Sequence, residues 1–332
     1  LREPFIRSKS NESESLAGFV ERRLGREFLD YAIDPFVSGV YAGDPAKLSV
    51  AHAFPKLYAL EQKHGSLIKG AVKGAKERKQ RAETSAKDAR MFSFREGMDA
   101  LPKRLAEKLG DAVRLDAPVS NIQLLGAHKW MVNREEFTDV VLAIPAHAQT
   151  ELNAPFDLSP MGGVYYPPVA SLSLGFGENQ FLHRLNGFGA LIPQVEKRYS
   201  LGALFPSSIF PGRAPTGSVL LTVFVGGAQV PGRAMHDEKE MLAQVLGDLH
   251  DLLGLDGGPD YRRLSVWPQA IPQYNVGYEK QLGHMARIEA ENPGIHFAGH
   301  YRDGISVANS ILGGLKVAER IVNHKGSKPH EA

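Results

Sequence analysis

Two short apolar runs constrain the fold more than any other feature of this sequence. Residues 140–144 read Val-Val-Leu-Ala-Ile, and residues 295–298 read Ile-His-Phe-Ala before a glycine. A continuous run like the first is typical of a strand covered on both faces, as in a parallel sheet flanked by helices. The second run leads through a glycine-containing loop to a predicted helix at residues 306–322. In that helix we expect the apolar side chains to face inward, at Ile311, Leu315 and Val322.

The first ninety residues are predicted to be mainly helical. Apolar side chains recur there at the spacing of one helix face, at Leu16, Phe19, Val20 and Leu24. A basic segment at residues 69–81 carries six Lys or Arg residues and one acid. Because like charges repel, we expect a solvated or disordered loop there. The alternative is a surface that settles on anionic lipid, where each basic residue contributes on the order of 1 kcal/mol.

The middle of the chain shows two further patterns of predicted secondary structure. Residues 91–97 predict a strand that runs into a turn. A helix with an apolar stripe then ends at Gly110, and strands follow at residues 113–124 and 129–132. Residues 151–278 alternate apolar and polar positions between Pro/Gly turns, with one helix near residues 240–253. The predicted fold class is therefore mixed α/β (α+β), with a mostly antiparallel lobe in the middle.

Composition and motifs exclude several kinds of function. The 39 Lys and Arg residues against 37 Asp and Glu leave a net charge of +2, too balanced for a dedicated nucleic-acid binder. The absence of cysteine excludes disulfides, a thiol nucleophile and an iron–sulfur cluster. The sequence contains no H-E-x-x-H metal motif, no G-x-S-x-G nucleophile elbow and no complete phosphate-binding glycine loop. We therefore expect no metal.

The start of the last helix is a candidate ligand contact. Helix N-termini carry unpaired N–H groups and a partial positive charge. Backbone donors of Ile305, Ser306 and Val307 would therefore point at an electron-rich ligand atom. Gly313 and Gly314 inside the helix cost roughly 1 kcal/mol each relative to alanine, which predicts a close packing partner. The alternative is an ordinary strand-to-helix turn.

Seven segments resemble one known enzyme family, the oxygen-dependent protoporphyrinogen oxidases, which are flavoenzymes with a monoamine-oxidase-like fold. The resemblance covers residues 3–322 and keeps the order of the segments. They are GVYAGDPAKLSVAHAFPKL (39–57), EQKHGSLIKG (61–70), FSFREGMDALP (92–102), GFGALIP (187–193), SSIFPGRAP (207–215), WPQAIPQYNVGY (267–278) and GIHFAGHYRDGISVANSI (294–311).

The resemblance implies a partial, Rossmann-like FAD-binding domain, an antiparallel-sheet substrate domain and a helical, membrane-facing lobe. In that scheme residues 1–90 are the helical lobe, 91–150 and 279–325 belong to the FAD-binding domain, 151–278 form the substrate domain and 326–332 are a tail. Members of the family open with a strand, a G-x-G-x-x-G turn and a helix that hold the FAD pyrophosphate. This sequence does not contain that segment. We therefore expect a fragment that lacks about a hundred residues, a small domain's worth, including an arginine region near the substrate propionates.

The resemblance also assigns cofactor positions. It places the backbone of Val119 at the adenine ring of FAD, and Ile305, Ser306 and Val307 at the pyrimidine edge of the flavin. Trp267 resembles a residue that lines the isoalloxazine, although a core tryptophan next to a proline is the competing interpretation.

Four further positions resemble substrate contacts. Leu191 and Leu204 match two aliphatic walls around one pyrrole ring, Phe224 an aromatic side chain on another ring, and Gly189 a backbone approach to the macrocycle. From the residues alone, the first three would be interpreted as core. The resemblance implies no catalytic side chain, and His300 fits a structural position in its glycine-flanked loop.

The implied activity is oxidation of protoporphyrinogen IX to protoporphyrin IX by FAD and O2. Coproporphyrinogen III oxidation by the same fold, an inert fragment unable to hold FAD, and another amine-oxidase relative such as a carotene desaturase remain alternatives. The expected partners are a porphyrinogen, O2, a membrane surface and a second copy in a homodimer, with no nucleic acid. The expected location is cytoplasmic and peripheral to a membrane, or an organelle membrane in a eukaryote.

Overall fold

The computed structural model describes residues 3–6, 10–80 and 91–326. Its fold is mixed α/β, as predicted, and combines helices with a parallel strand pair and two antiparallel sheets. Buried apolar side chains form two clusters. The first joins the early helices to residues 122–166 and 274–301, and the second lies along one face of the larger antiparallel sheet.

The segment before residue 81 is helical, as the apolar spacing predicts. Helices α1 to α6 span Leu16–Leu24, Arg26–Phe28, Asp34–Phe36, Val50–Ala53, Pro55–His64 and Leu67–Gln80, with π-helical turns at Leu29–Ile33 and Val37–Tyr41. The Ser15 side chain caps α1 by accepting a hydrogen bond from the first turn. Leu16, Phe19 and Val20 are buried, whereas Leu24 is partly exposed at the margin of the stripe.

The expectation of a loop in the basic segment is wrong for the part that the structure describes. Helix α6 continues through Gln80. Alanine, lysine, arginine and glutamate all favour helix, and α6 packs closely on α5, where a Cβ at Gly70 would lie 2.8 Å from Leu60. Arg81 lies outside the described residues.

A buried cluster of charges holds this helical part together. The Glu61 carboxylate is fully buried and accepts hydrogen bonds from the Arg22 and Arg23 guanidinium groups and from Ser10. The Arg23 side chain, also fully buried, lies 3.4 Å from the Glu3 carboxylate. Burial alone raises the pKa of Glu61, but the hydrogen bonds from Arg22, Ser10 and Arg23 outweigh it and lower the pKa to about 2.

Replacing Glu61 with glutamine should therefore destabilise the protein strongly, because the fully buried Arg23 guanidinium loses its nearer carboxylate and keeps only that of Glu3, at 3.4 Å. We expect a loss of about 3–5 kcal/mol in the free energy of unfolding at pH 7, measured by urea denaturation. Since the folded-state pKa of Glu61 is lowered from 4.5, its contribution is complete above pH 4.5 and disappears as the pH falls towards 2.

The matched control is Glu107→Gln, because Glu107 pairs with Arg104 on an exposed helix surface. That change should alter the unfolding free energy by less than about 0.5 kcal/mol. Equal losses for both variants would contradict the assignment of stability to the buried cluster.

The region that follows contains shorter strands than predicted. The elements are α7 Ala100–Leu109, β1 Ile122–Gly126, β2 Lys129–Val132, β3 Glu135–Phe137, β4 Val140–Leu142 and α8 Ala146–Gln149, and β1–β3 form an antiparallel meander. The helix stops at Gly110 as expected, with φ +51°. At residues 91–97 the predicted turn is present but the strand before it is not, since those residues are extended without strand pairing. The strand predicted from residue 113 begins only at Ile122.

The parallel strand pair is present, but its strands are not covered on both faces as the apolar run predicts. Strand β4 pairs in parallel with β10 (Ile295–Phe297), with Val140 opposite Ile295. Val141 and Ile144 are each 41% exposed, because among the described residues nothing packs over that face.

The last helix is also exposed where it was predicted to be buried. Helix α13 spans Val307–Gly326, preceded by α11 Glu279–Glu291 and α12 His300–Asp303. Ile311, Leu315 and Val322 are 47%, 55% and 66% exposed, which contradicts the inward orientation. Val317, on another side of the helix, is buried. The tail beyond Gly326 lies outside the described residues.

A five-stranded antiparallel sheet occupies the middle of the chain, as predicted. Its strands are β5 Val169–Gly177, β6 Gly189–Leu191, β7 Gly202–Leu204, β8 Ser218–Gly226 and β9 Tyr261–Trp267, in the order β6-β7-β8-β5-β9, with helices α9 Pro206–Ile209 and α10 Glu238–Leu253. Leu172 lies opposite both Val223 and Leu264, and these side chains pack with Met241 and Val245 of α10. One face of the sheet is therefore buried, and the other is available for a site.

No helix in the described ranges is both long enough and apolar enough to cross a membrane.

Candidate functional site

The strand register brings four predicted substrate contacts onto the free face of the five-stranded sheet. Leu191 lies opposite Gly202, which lies opposite Phe224. Gly189 lies opposite Leu204 in the next row. Directly opposed residues share a face, and so do residues two apart along a strand. The four positions, separated in sequence by up to 35 residues, therefore share one surface.

This surface forms one wall of an apolar cavity of about 490 Å³. Gly189, Leu191, Leu204 and Phe224 all line it. The opposite wall comes from the helical part of the chain, at Phe36, Gly39 and Val40. The residues that sequence reasoning would have placed in the core are thus only partly buried, and Leu191 is 43% exposed.

Trp267 lines a second, smaller cavity next to the first. Its volume is about 350 Å³, and Phe224, Gly39 and Val40 line both cavities. Trp267 is 49% exposed, which argues against the core interpretation. Because Trp267 lies opposite Val169, it shares the free face of the sheet with Phe224. The two cavities are therefore neighbouring parts of one apolar surface.

Two glycines allow the walls of this site to approach each other. A Cβ at Gly39 would lie 2.3 Å from the Leu191 side chain, so the π-helical turn packs directly on that leucine. Gly189 has φ +147°, and a Cβ there would lie 2.3 Å from the carbonyl oxygen of Ala203. The sheet itself therefore requires glycine at position 189.

A buried carboxylate fixes the helical wall over the sheet. Asp34 is 8% exposed, and its two oxygens accept hydrogen bonds from the Gln194 backbone N at 2.9 Å and the Gln229 side chain at 2.7 Å. Sequence reasoning missed Asp34, Phe36 and Val40. The segment from Gly39 was recognised as a family marker, but nothing in its pattern indicated that it faces a sheet remote in sequence.

The second group of predicted residues lies at the carboxyl ends of β4 and β10. Chain reversal there uses Gly299, with φ +128°, and Gly304, with φ +113°. A Cβ at Gly304 would lie 2.1 Å from the Asn309 side chain, so only glycine fits. The Ser306 hydroxyl caps α13 by accepting a hydrogen bond from Asn309 N at 3.1 Å. Ligands in α/β folds bind at such strand ends.

For one of the two glycines in α13, the predicted close packing partner is a residue of this chain. A Cβ at Gly313 would lie 2.6 Å from the Asp303 carboxylate, which also accepts a hydrogen bond from Gly299 N. A Cβ at Gly314 would have no neighbour within 4 Å in the described ranges. Gly313 therefore allows the loop residue Asp303 to pack against α13, whereas the helix surface at Gly314 is uncovered among the described residues.

These residues fit one end of a flavin nucleotide. The first turn of α13 offers backbone N–H groups, and Val307 is 56% exposed beside it. After β4, the His147 Nδ1 atom is buried without a hydrogen-bond partner among the described residues. The sequence contains no complete glycine-rich loop that could bind the diphosphate of FAD. These residues therefore fit only the end of FAD that carries the flavin ring. Ile305, Ser306 and Val307 are the residues that would hold it.

Val119 is not brought to this group by any observed contact. It lies between α7 and β1, is 43% exposed and lines neither cavity described above. Its assignment to the adenine ring stays a prediction.

A cluster of buried tyrosines makes the loop rigid. Tyr274 and Tyr278 donate hydrogen bonds to the backbone oxygens of His300 and Tyr301, and Tyr301 donates to Leu142 O at 2.6 Å. Burial raises the pKa of all three hydroxyls, which keeps them protonated as donors.

His300 lies within this cluster, in surroundings that favour its neutral form. Burial, together with the nearby His147, lowers the pKa of His300. Its ring makes an edge contact with Tyr166 at 5.7 Å between centroids. These contacts agree with the structural position expected for His300.

Known proteins resemble this chain in sequence and in fold. Mitochondrial protoporphyrinogen oxidase of Nicotiana tabacum is 33% identical, over 95% of this chain and 69% of the relative. Coproporphyrinogen III oxidase of Bacillus subtilis (strain 168) is 26% identical, over 92% of this chain and 66% of the relative. The fold matches a provisionally assigned protoporphyrinogen oxidase from Exiguobacterium sp. 255-15 with a TM-score of 0.76 and 22% identity, over 96% of this chain and 70% of that one.

The model of one protein family matches residues 1–322, which is almost the whole chain. The match includes both the sheet with its apolar cavity and the loop at the ends of the parallel strands. The chain therefore belongs to the family of flavin containing amine oxidoreductases.

Proposed function

We propose that this protein oxidises protoporphyrinogen IX to protoporphyrin IX, with FAD as cofactor and three molecules of O2 as acceptors. Six electrons and six protons leave the substrate, and three molecules of hydrogen peroxide are formed. The observation that carries the proposal is the convergence of Gly189, Leu191, Leu204 and Phe224 on one apolar cavity. Relatives that are about one-third identical over most of the chain support the same substrate class.

The cavity suits a large, flat, apolar molecule. Burial of such a molecule contributes about 25 cal/mol per Å² of apolar surface. The leucine walls and Phe224 supply contact without a charged group, since neither cavity is lined by an ionisable side chain among the described residues. The protein's part in the reaction is thus to orient the macrocycle and to exclude water.

FAD supplies, when bound, the capacity to accept hydride from the substrate and to pass its electrons to O2. The residues of this chain hold and orient its ring end. Backbone N–H groups at Ser306 and Val307 would face the polar edge, and Trp267 would line the ring. The absence of an acid–base pair in the cavity agrees with this division of labour.

The first test is the oxidation of protoporphyrinogen IX by the purified protein supplied with FAD, followed by porphyrin fluorescence. Protoporphyrin and peroxide should appear in a ratio of one to three. If coproporphyrinogen III is oxidised faster than protoporphyrinogen IX, coproporphyrinogen III is the preferred substrate. Absence of oxidation with both substrates, in protein that retains flavin, would contradict the proposed function.

Leu204→Arg should reduce turnover at least about tenfold while flavin stays bound, because a buried charge without a partner opposes the apolar substrate. Steady-state porphyrin formation and flavin absorbance measure the two effects. Leu182→Arg is the control, since Leu182 is 74% exposed outside the cavity. Unchanged turnover in Leu204→Arg would remove Leu204 from the substrate wall.

Gly304→Val should instead lose the flavin. A valine cannot adopt φ +113° without strain and would collide with Asn309. The measurement is the yellow absorbance retained after desalting, with thermal unfolding as a check of folding. Gly258→Val is the control, because a Cβ there meets nothing within 4 Å. Full flavin retention in Gly304→Val would contradict the assignment of this loop to the cofactor.

We also propose that the helical part associates peripherally with membranes. Its surface exposes Phe28, Tyr31, Ile68 and Val72, and α6 carries lysines beside the last two. The protein should sediment with vesicles of anionic lipid and less with neutral ones, and Val72→Asp should weaken sedimentation. If equal amounts of protein sediment with anionic and neutral vesicles, the assignment of this surface to anionic membranes is wrong. A location beside a cytoplasmic or organelle membrane, and a homodimer, are part of the same proposal.

A further inference from the structure

We infer that Arg263 binds a carboxylate of the tetrapyrrole and thereby fixes which edge of the macrocycle points out of the cavity. The inference rests on the proposed function and deepens it, because it concerns the orientation of the same substrate. It starts from the register of the sheet that carries the cavity.

Arg263 lies on the free face of the sheet. It is directly opposite Ser173, Ser173 is opposite Thr222, and Thr222 is opposite Leu204. Opposed residues share a face, so Arg263 belongs to the same row as a residue of the substrate wall. The neighbouring Leu264 packs in the cluster on the opposite face, as strand alternation requires.

The character of the free face changes across the sheet. Over β6, β7 and β8 it presents the leucines and Phe224 beneath the helical wall. Over β5 and β9 it is apolar at one end, at Val169 and Trp267, and then presents the hydroxyl groups of Ser171, Ser173 and Ser265 and finally Arg263. An amphipathic molecule with apolar rings and acidic substituents complements such a surface.

Arg263 is available for a ligand. It is exposed, and among the described residues it forms no hydrogen bond or ion pair. Arg262, the preceding residue, differs in this respect: its Nε lies 3.5 Å from the Glu238 carboxylate at the start of α10, on the other face. Two adjacent arginines are thus directed to opposite sides, and within the part of the chain that the structure describes only Arg262 is paired.

The spacing agrees with one macrocycle lying along the face. Arg263 and Trp267 are on the same face and four residues apart, which is about 13 Å of extended strand. Trp267 is itself a predicted flavin contact, and it marks the other end of this stretch of strand. A carboxylate at Arg263 therefore places the acidic edge of the substrate away from the oxidised region.

The test compares binding of protoporphyrin IX with that of its dimethyl ester, which has the same rings and no free carboxylate. Titrations at fixed ionic strength follow porphyrin fluorescence with wild-type protein, Arg263→Gln and the matched Arg262→Gln. Arg263→Gln should weaken binding of the acid about tenfold, the usual scale for a charge-assisted hydrogen bond. It should leave ester binding unchanged, and Arg262→Gln should change neither.

Turnover gives a second readout. With protoporphyrinogen IX, Arg263→Gln should raise KM about tenfold and leave kcat nearly unchanged, and Arg263→Lys should restore part of the loss. A loss that is equal for acid and ester, or no loss for either, overturns the inference. Carboxylate-dependent binding through Arg263 in protein that retains flavin but oxidises no porphyrinogen would support the inference and contradict the proposed function.

Discussion

The buried carboxylate of Asp34 holds together the two walls of the site. A carboxylate is costly to bury unless hydrogen bonds replace its water, and here both oxygens accept hydrogen bonds from segments next to the sheet. A second connection runs from the Gln273 side chain to the Tyr41 carbonyl oxygen at 2.9 Å. These polar contacts flank the residues that face the sheet, so the cavity depends on a few directional bonds rather than on apolar contact alone.

The fold could be predicted where local patterns were unambiguous. Apolar alternation identified the antiparallel lobe, and Gly110 marked the end of α7 correctly. Periodicity gave the wrong orientation for α13, because it identifies an apolar face without showing what covers it. The basic segment was mispredicted since charge repulsion was weighed above helix propensity and the packing of α6 on α5.

Some residues of the candidate site could likewise be predicted from the sequence, and others could not. Short strands such as β6 and β7 contain only three residues each, and their pattern alone would assign Leu191 and Leu204 to the core. The resemblance to a known family supplied the functional interpretation, and the register then explained why the residues share a face. Asp34 and the helical wall were missed because their partners lie about 160 residues or more away in the sequence.

The lining of the cavity has a consequence for how such a site can change over generations. A wall that works by shape and apolarity tolerates exchange between aliphatic side chains of similar volume far better than an acid–base pair tolerates any exchange. Selection by a competing flat molecule could therefore act on Leu191 or Leu204 without destroying the chemistry. Gly39 is tied to Leu191, because a Cβ at position 39 would lie 2.3 Å from the end of that side chain, so a change there requires the leucine to move or to become smaller first. Adaptation would be expected to begin on the sheet and to spare the helical turn above it.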